Sequence, residues 1–330
     1  MASFSNSRAN RIQNCLNSAM ATGETGVSIT NDGKQNMTDF SKGAAYIGKE
    51  IIPISEAKIS ILDWGFLHSD ATYDVVHVWD GRFFRLDDHV ERFFAGMEKL
   101  RMSIPYTRAE LQLVLSSCVK ASGLRQAYVE MITTRGLPQP GSRDPRTCTN
   151  RFFAFAIPFV WITKSQNGLH LIVTKKQRIP AESVDPAVKN YHWLDLVMGQ
   201  FEAYDRGGET AAVVDSQGNI KEGPGFNIFA VKGSIVTTPA SGVLEGIIRK
   251  TAMELATEHG YKIVQGNLNP EYARSADEVF ATSTAGGLMP ITKIDDQIIG
   301  NGTTGPITQI LQDAYWALHN DPKYTSAIDY

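Results

Sequence analysis

Apolar residues alternate with polar ones, or form short runs, at several places in the first half of the chain, and this pattern predicts β-strands. The predicted strands are Ala44–Ile47, Lys58–Leu62, Val75–Trp79, Arg82–Leu86, Ala127–Thr134 and Phe152–Val160. Asp80 and Gly81 separate two of them and favour a type I′ turn, because both tolerate the positive φ that this turn requires. A β-hairpin is therefore expected at residues 75–86.

Helical spacing follows the hairpin. Five apolar residues recur every three to four positions: Val90, Phe93, Phe94, Met97 and Leu100. Asp87 and Asp88 can cap this helix at its start. Thr107 and Glu110 have the spacing of a capping box, which predicts the start of a second helix. Leu137–Asn150 is rich in proline and charged residues and is predicted to be an exposed loop.

The second half mixes the same two patterns. The predicted strands are Leu169–Thr174, Ala211–Asp215, Phe226–Lys232, Ile235–Thr238, Lys262–Gln265, Glu278–Ser283 and Ile291–Ile294. The predicted helices are Trp193–Arg206, Gly246–His259 and Pro306–Leu318. Strands and helices are interspersed in both halves, so we predict a mixed α/β (α+β) fold. Its expected parts are a polar extension at 1–42, a small domain at 43–162 and a larger domain at 168–330.

Composition excludes several classes of function. With 330 residues, 42% of them hydrophobic, and a net charge of −3, the chain has neither a basic surface for nucleic acid nor an apolar run long enough for a membrane. Its three cysteines are widely spaced, so a reducing, cytoplasmic location is expected. Residues 1–23 contain arginine and no acidic residue, which leaves a mitochondrial leader as the alternative to a surface-lying extension.

Four short stretches carry the candidate chemistry: Phe84–Arg92, Asp185–Trp193, Lys221–Ile228 and Ser283–Pro290. In their order and spacing they resemble the branched-chain and D-amino-acid aminotransferase superfamily, the fold type IV enzymes that use pyridoxal 5′-phosphate (PLP). The resemblance runs from about Gly43 to the C-terminus. It implies a two-domain enzyme that binds PLP at the interface of its domains and of a homodimer.

The resemblance assigns Lys189 as the catalytic lysine that binds PLP covalently. Tyr191, His192 and Trp193 give it an aromatic setting, and partial burial frees a lysine amine to attack an aldehyde. The same amine can then move the proton of the substrate. Glu222 is expected to bond the pyridine nitrogen and keep the ring protonated.

The cofactor phosphate needs positive charge and N–H donors. The resemblance favours Arg85 as its ligand, since a guanidinium can bind phosphate through two N–H groups. Ile247 and Ile248 open a predicted helix, whose first N–H groups form an anion site. Thr284, with Ser283 before it, can add a hydroxyl group.

Within the superfamily, Asp63–Asp74 and Val78–Gly81 resemble the (R)-selective amine transaminases. Branched-chain enzymes carry a Tyr-x-Arg that binds the substrate carboxylate, whereas Tyr128 is followed here by Glu130. D-amino-acid enzymes carry an Arg-x-His soon after Thr-Arg-Gly, and this chain lacks it after Gly136. Both carboxylate sites are therefore missing, which points to an amine with two carbon substituents.

The resemblance also assigns the substrate pocket. The residues expected to line it are Tyr73, Val75, Tyr128, Glu130, Trp193, Ser283 and Ala285, with His68 near the entrance. Arg135 is the candidate for binding the carboxylate of the acceptor, and its alternative role is a strand-end arginine paired to an acid. No metal site is expected, because His68 and His89 lack ligand spacing.

The predicted reaction transfers the amino group of an (R)-configured primary amine to an α-keto acid such as pyruvate. Three alternatives remain open at this point. The first is a branched-chain or D-amino-acid aminotransferase. The second is a PLP lyase that resembles aminodeoxychorismate lyase. The third is an α+β binding protein without catalytic activity.

Overall fold

The computed structural model describes residues 40–163 and 168–330. Its strands are β1 (Ala44–Ile47), β2 (Glu50–Pro53), β3 (Ala71–Trp79), β4 (Arg82–Phe84), β5 (Ala127–Leu137), β6 (Thr149–Pro158), β7 (Leu169–Gln177), β8 (Thr210–Val214), β9 (Glu222–Gly223), β10 (Phe226–Lys232), β11 (Ile235–Pro239), β12 (Lys262–Gly266), β13 (Glu278–Ser283), β14 (Gly287–Ile294), β15 (Gln297–Ile298) and β16 (Thr325–Ala327). Its α-helices are α1 (Trp64–Leu67), α2 (Leu86–Lys99), α3 (Arg108–Ser122), α4 (Leu194–Asp205), α5 (Ile247–Glu258), α6 (Pro270–Arg274) and α7 (Pro306–Ala317). Short 3-10 helices occupy Phe40–Lys42, Ile54–Glu56, Pro145–Thr147 and Leu318–Asn320.

The first sheet is antiparallel and has the strand order β16-β4-β3-β5-β6-β1-β2. Helices α2 and α3 cover one face, where Phe93, Leu111 and Leu115 pack with Val76 and Val78 of β3 in one buried core. The predicted hairpin is confirmed, since Asp80 and Gly81 both have positive φ, and so is the capping box of Thr107.

The second sheet is mixed. Its strand order is β12-β11-β10-β13-β14-β7-β8, with β9 beside β10 and β15 beside β14. The β11–β12, β14–β7 and β7–β8 pairs are parallel, and the others are antiparallel. Helices α5 and α7 pack on this sheet through a core that contains Ile248, Leu255, Leu311 and Tyr315.

Two local predictions are wrong. Residues 58–62 form no strand, and Asp63 instead caps α1 by accepting a hydrogen bond from the Gly65 N–H. The strand beside β1 is β2, joined to it by a tight turn with positive φ at Gly48 and Lys49. Helix α2 is not capped by Asp87 or Asp88, which lie in its first turn.

The end of the chain returns to the first sheet. Strand β16 pairs with β4 after α7 has packed on the second sheet. The predicted domains at 43–162 and 168–330 are therefore tied together by residues 325–327, and the division between them stays a prediction. Most of the predicted extension at 1–42 lies outside the described residues, of which no helix is long and apolar enough to cross a membrane.

Candidate active site

A cavity of about 520 Å³ is lined by residues of both sheets. Strands β3, β5 and β6 supply one side, and β9, β13 and the start of α5 supply the other. Twelve of the residues predicted for the site lie on its wall: Lys189, Glu222, Ile247, Ile248, Ser283, Thr284, Tyr73, Val75, Tyr128, Glu130, Trp193 and Ala285. The fold thus brings together residues from distant stretches of the sequence.

Lys189 is held by the first sheet although it follows the second. Its carbonyl accepts hydrogen bonds from the Tyr73 N–H (3.1 Å) and the Thr72 hydroxyl (2.8 Å). The side chain lies over the ring of Tyr73, with Nζ 4.5 Å from the ring centroid. Burial, together with the positive charge of Arg92, lowers the pKa of Lys189 to about 8. A neutral, nucleophilic amine is therefore accessible near physiological pH.

Glu222 lies on the short strand β9 and is buried. The Arg178 Nε–H donates to Oε1 (2.9 Å), and the Leu244 N–H donates to Oε2 (3.0 Å). Arg178 also pairs with Asp195 at 2.6 Å, which fixes the guanidinium between two carboxylates. Burial raises the pKa of Glu222, and the positive charge of Arg178 opposes this shift. The carboxylate keeps lone pairs for one further donor, as a protonated pyridine nitrogen requires.

Arg92 and the start of α5 form the cationic end of the cavity. Asp74 receives two hydrogen bonds from Arg92, from Nε at 2.7 Å and Nη2 at 2.8 Å. The Arg92 Nη1–H donates to the carbonyl of Glu245 (2.9 Å), immediately before the N-cap of α5 at Gly246. A guanidinium has five N–H groups, so two remain beside a helix N-terminus, a combination that suits a phosphate.

The prediction that Arg85 binds the phosphate does not fit its position. Arg85 is the N-cap of α2 and has φ of 52°, which turns its side chain away from the cavity. Its Nη1–H donates to the Thr251 hydroxyl (2.7 Å), and it forms ion pairs with Asp88 and Glu254. The arginine on the cavity wall is Arg92, seven residues further along the same motif.

Aromatic and apolar groups form the remaining wall. Tyr73 and Tyr191 stack with ring centroids 4.4 Å apart. The Tyr191 hydroxyl donates to Glu130 Oε1 at 2.6 Å, and burial raises the pKa of Glu130. Ser283 donates to the carbonyl of Gly225 (2.8 Å). These hydrogen bonds hold the polar atoms of the wall in place.

Two further predicted residues lie elsewhere. Arg135 binds both carboxylate oxygens of Asp70 (2.8 and 3.0 Å) and donates to the carbonyls of Leu100 and Arg101 after α2. It is thus the strand-end arginine paired to an acid, and its position does not fit binding of the acceptor carboxylate. His68 lines a separate cavity of about 350 Å³. Val188 and Asn190, on either side of Lys189, line both cavities.

The donor set fits PLP. A lysine amine with a lowered pKa, a buried carboxylate and an anion site at the end of α5 line one cavity. Lys189 would bind the aldehyde carbon, Glu222 the pyridine nitrogen, and Arg92 with the first N–H groups of α5 the phosphate. Arg92, Asp74 and Arg178 are the residues that sequence reasoning missed.

Comparison with known proteins gives a consistent answer. The family model "Amino-transferase class IV" matches residues 71–294. The chain is 32% identical over 273 residues to a putative branched-chain-amino-acid aminotransferase of Methanocaldococcus jannaschii, with 82% of this chain and 94% of the relative covered. It is 27% identical over 276 residues to a D-alanine aminotransferase of Staphylococcus haemolyticus, with 82% and 95% covered.

Solved structures share the fold. A branched-chain amino acid aminotransferase of T.th., complexed with N-(5′-phosphopyridoxyl)-L-glutamate, superposes with a TM-score of 0.81 at 26% identity. The match covers 87% of this chain and 99% of that one. The branched-chain aminotransferase of Thermoproteus uzoniensis with norvaline gives a TM-score of 0.80 at 26% identity, with the same shares covered.

Proposed function

The chain belongs to the class IV aminotransferase family, and we propose that it transfers the amino group of an (R)-configured primary amine to an α-keto acid such as pyruvate. The fold is that of the fold type IV enzymes, and PLP is the cofactor. PLP, when bound, takes up the amino group and withdraws electrons from the reacting carbon of the substrate.

The residues of the chain divide the remaining work. The Lys189 Nζ attaches the cofactor and, once released, takes the proton from the reacting carbon of the amine. A pKa of about 8 suits this exchange, because the amine can both accept and return a proton near neutral pH. Glu222, held by Arg178, keeps the pyridine nitrogen protonated. Tyr73 and Tyr191 orient the substrate against the lysine.

The observation that carries the substrate class is the state of the cations on the cavity wall. These are Lys189, Arg92 and Arg178. Arg92 is bound to Asp74, and Arg178 is bound to Glu222 and Asp195. Within the described residues, this cavity therefore offers no spare cation for the α-carboxylate of an amino acid. The wall beside the lysine carries Glu130 instead, which favours a donor without a carboxylate.

A single-turnover half-reaction tests the proposal. The visible absorbance of the PLP-loaded protein is followed after separate addition of (R)-1-phenylethylamine, its S enantiomer, D-alanine or L-leucine. We expect loss of the band with the R amine alone, together with formation of acetophenone. Loss of the band with D-alanine or L-leucine only would replace the amine by an amino acid and leave the roles of Lys189 and Glu222 intact.

We also propose a homodimer. The exposed side of α4 presents Leu194, Val197, Met198 and Phe201 at helical spacing, with Leu194 and Phe201 79% and 56% exposed. A contiguous apolar surface of this kind favours association. Light scattering of the purified protein should give twice the mass of the chain, and Phe201→Glu should shift it toward the monomer, with Leu113→Glu on the exposed side of α3 as the matched control.

A further inference from the structure

Arg249 is a buried cation with neutral hydrogen-bond partners. It lies in the first turn of α5 and is 5% exposed. Its Nη2 donates to the carbonyl of Pro239 (2.8 Å) and to Gln265 Oε1 (2.9 Å). Within residues 40–163 and 168–330, no carboxylate lies within ion-pair distance of its guanidinium.

This arrangement is costly for the protein alone. A buried charge without a counter-charge is destabilising, and a cation in the first turn of a helix also meets the positive end of the helix dipole. Burial accordingly lowers the pKa of Arg249. The nearest carboxylate along the helix is that of Glu245, which is exposed to solvent and therefore a weak counter-charge.

The charge of Arg92 does not do the same work. Arg92 and Asp74 form a bidentate ion pair in which Asp74 is fully buried. Arg92 thus offers directed N–H donors at the phosphate end of the cavity, but its positive charge is largely offset. Arg249 comes directly after Ile247 and Ile248, which line that end. The uncompensated charge at the anion site is therefore the one on Arg249.

We propose that Arg249 supplies the net positive potential that binds the cofactor phosphate, without touching it. The phosphate dianion is then the missing counter-charge of this buried guanidinium. Arg249 is an electrostatic positioning residue, and Arg92 with the α5 N–H groups makes the direct contacts. The inference concerns the phosphate end alone and is independent of which amine or amino acid is the substrate.

The test compares PLP with pyridoxal, which lacks the phosphate. Dissociation constants of both are measured at pH 7 for the cofactor-free wild type, Arg249→Gln and Arg249→Lys. Glutamine keeps a donor for Pro239 and removes the charge, and lysine keeps the charge. We expect Arg249→Gln to bind PLP at least about tenfold more weakly, because a charge near a dianion is lost in a low-dielectric site. Pyridoxal binding should change less than about twofold, and Arg249→Lys should stay within about threefold of the wild type for both, since its charge is retained.

The opposite outcomes are equally clear. Equal losses for PLP and pyridoxal, or equal losses in the Gln and Lys variants, would mean that Arg249 matters only for packing and hydrogen bonding. Unchanged PLP affinity in Arg249→Gln would also overturn the proposal. Failure of the wild type to bind PLP would be a different result, since it would remove the cofactor itself. Thermal melts with and without inorganic phosphate give a second readout, and phosphate should stabilise Arg249→Gln less than the wild type.

Discussion

The Nζ atom of Lys189 lies 4.5 Å from the centroid of the Tyr73 ring, and the N–H of Tyr73 donates to the carbonyl of the same lysine. One strand residue therefore fixes both the backbone and the side chain of the catalytic lysine. Because Tyr73 belongs to β3 of the first sheet, the reactive amine is positioned by the half of the fold that does not contain it.

Lys189→Ala should abolish transamination, because no other lysine among the described residues lies on the cavity wall. Any PLP that still binds should do so without a covalent link. Mass spectrometry after borohydride reduction should find a pyridoxyl group on the wild type and none on this variant. Lys120→Ala, at an exposed position of α3, is the control and should behave as wild type.

Attachment of a pyridoxal aldehyde to Lys189 should rise with pH through a midpoint near 8, because burial and Arg92 favour the neutral amine. An ordinary lysine would show the same rise only near about 10.4. The rate is measured with pyridoxal across roughly pH 6.5 to 9.5, a range that spans the expected midpoint. Arg92→Gln removes the neighbouring positive charge, so the midpoint should move to higher pH. A midpoint of about 10 in the wild type, as for an ordinary lysine, would contradict the assignment.

Glu222→Gln should retain the cofactor and lose most of the turnover, on the order of 100-fold, because an amide stabilises a protonated ring poorly. Arg178 can still donate to the amide oxygen, so the fold should survive. Single-turnover rates and a thermal melt separate the two effects. Glu258→Gln, at an exposed position in α5, serves as the matched control. Normal turnover in the Glu222 variant would remove this residue from the mechanism.

Local motifs predicted Lys189 and Glu222, because each is recognisable within a few neighbouring residues. They did not separate Arg85 from Arg92, which belong to one motif. The distinction depends on the backbone: Arg85 turns away at φ of 52°, whereas Arg92 lies one helical turn after His89 on α2. The spacing of His89 and Arg92 was the available signal, since residues three apart share a helix face and both bind Asp74.

Tertiary context also explains what the patterns missed elsewhere. Residues 58–62 have the alternation of a strand, yet β1 is paired on one side by β6 and on the other by β2. Both edges of β1 are therefore already occupied. Arg178 could not be identified from its neighbours, because its partners Glu222 and Asp195 lie 44 and 17 residues away. Such contacts are set by the fold and leave no local spacing.

Arg135→Met should destabilise the protein rather than alter its use of keto acids. The guanidinium binds Asp70 and two carbonyls at the end of α2, and losing these bonds should cost roughly 2–3 kcal/mol of unfolding free energy. Denaturant titration measures the loss. Arg146→Met removes an ion pair with Asp144 in which Arg146 is 88% exposed, so it should leave stability unchanged. A raised KM for pyruvate with unchanged stability in Arg135→Met would restore the acceptor-binding role.

The buried pair of His77 and His319 should make the protein sensitive to acid. Their Nε2 atoms are 2.7 Å apart, and His319 Nδ1 lies 3.1 Å from the carbonyl of Tyr315. His319 Nδ1–H therefore donates to this carbonyl, and its Nε2 accepts from His77, which requires both rings to be neutral. Burial lowers the pKa of His319 to about 4 and that of His77 well below its usual value.

Since the unfolded chain binds protons on these rings at higher pH than the folded one, stability should fall as pH drops from about 6.5 to about 4. The His319 contribution over that window is about 3 kcal/mol, from about 1.36 kcal/mol per pKa unit. Thermal melts of wild type and His319→Gln across this range measure it, with His259→Gln at the end of α5 as the control. The His319 variant should be less stable at neutral pH and should lose part of the pH dependence. A wild-type slope in that variant would show that the acid sensitivity arises elsewhere.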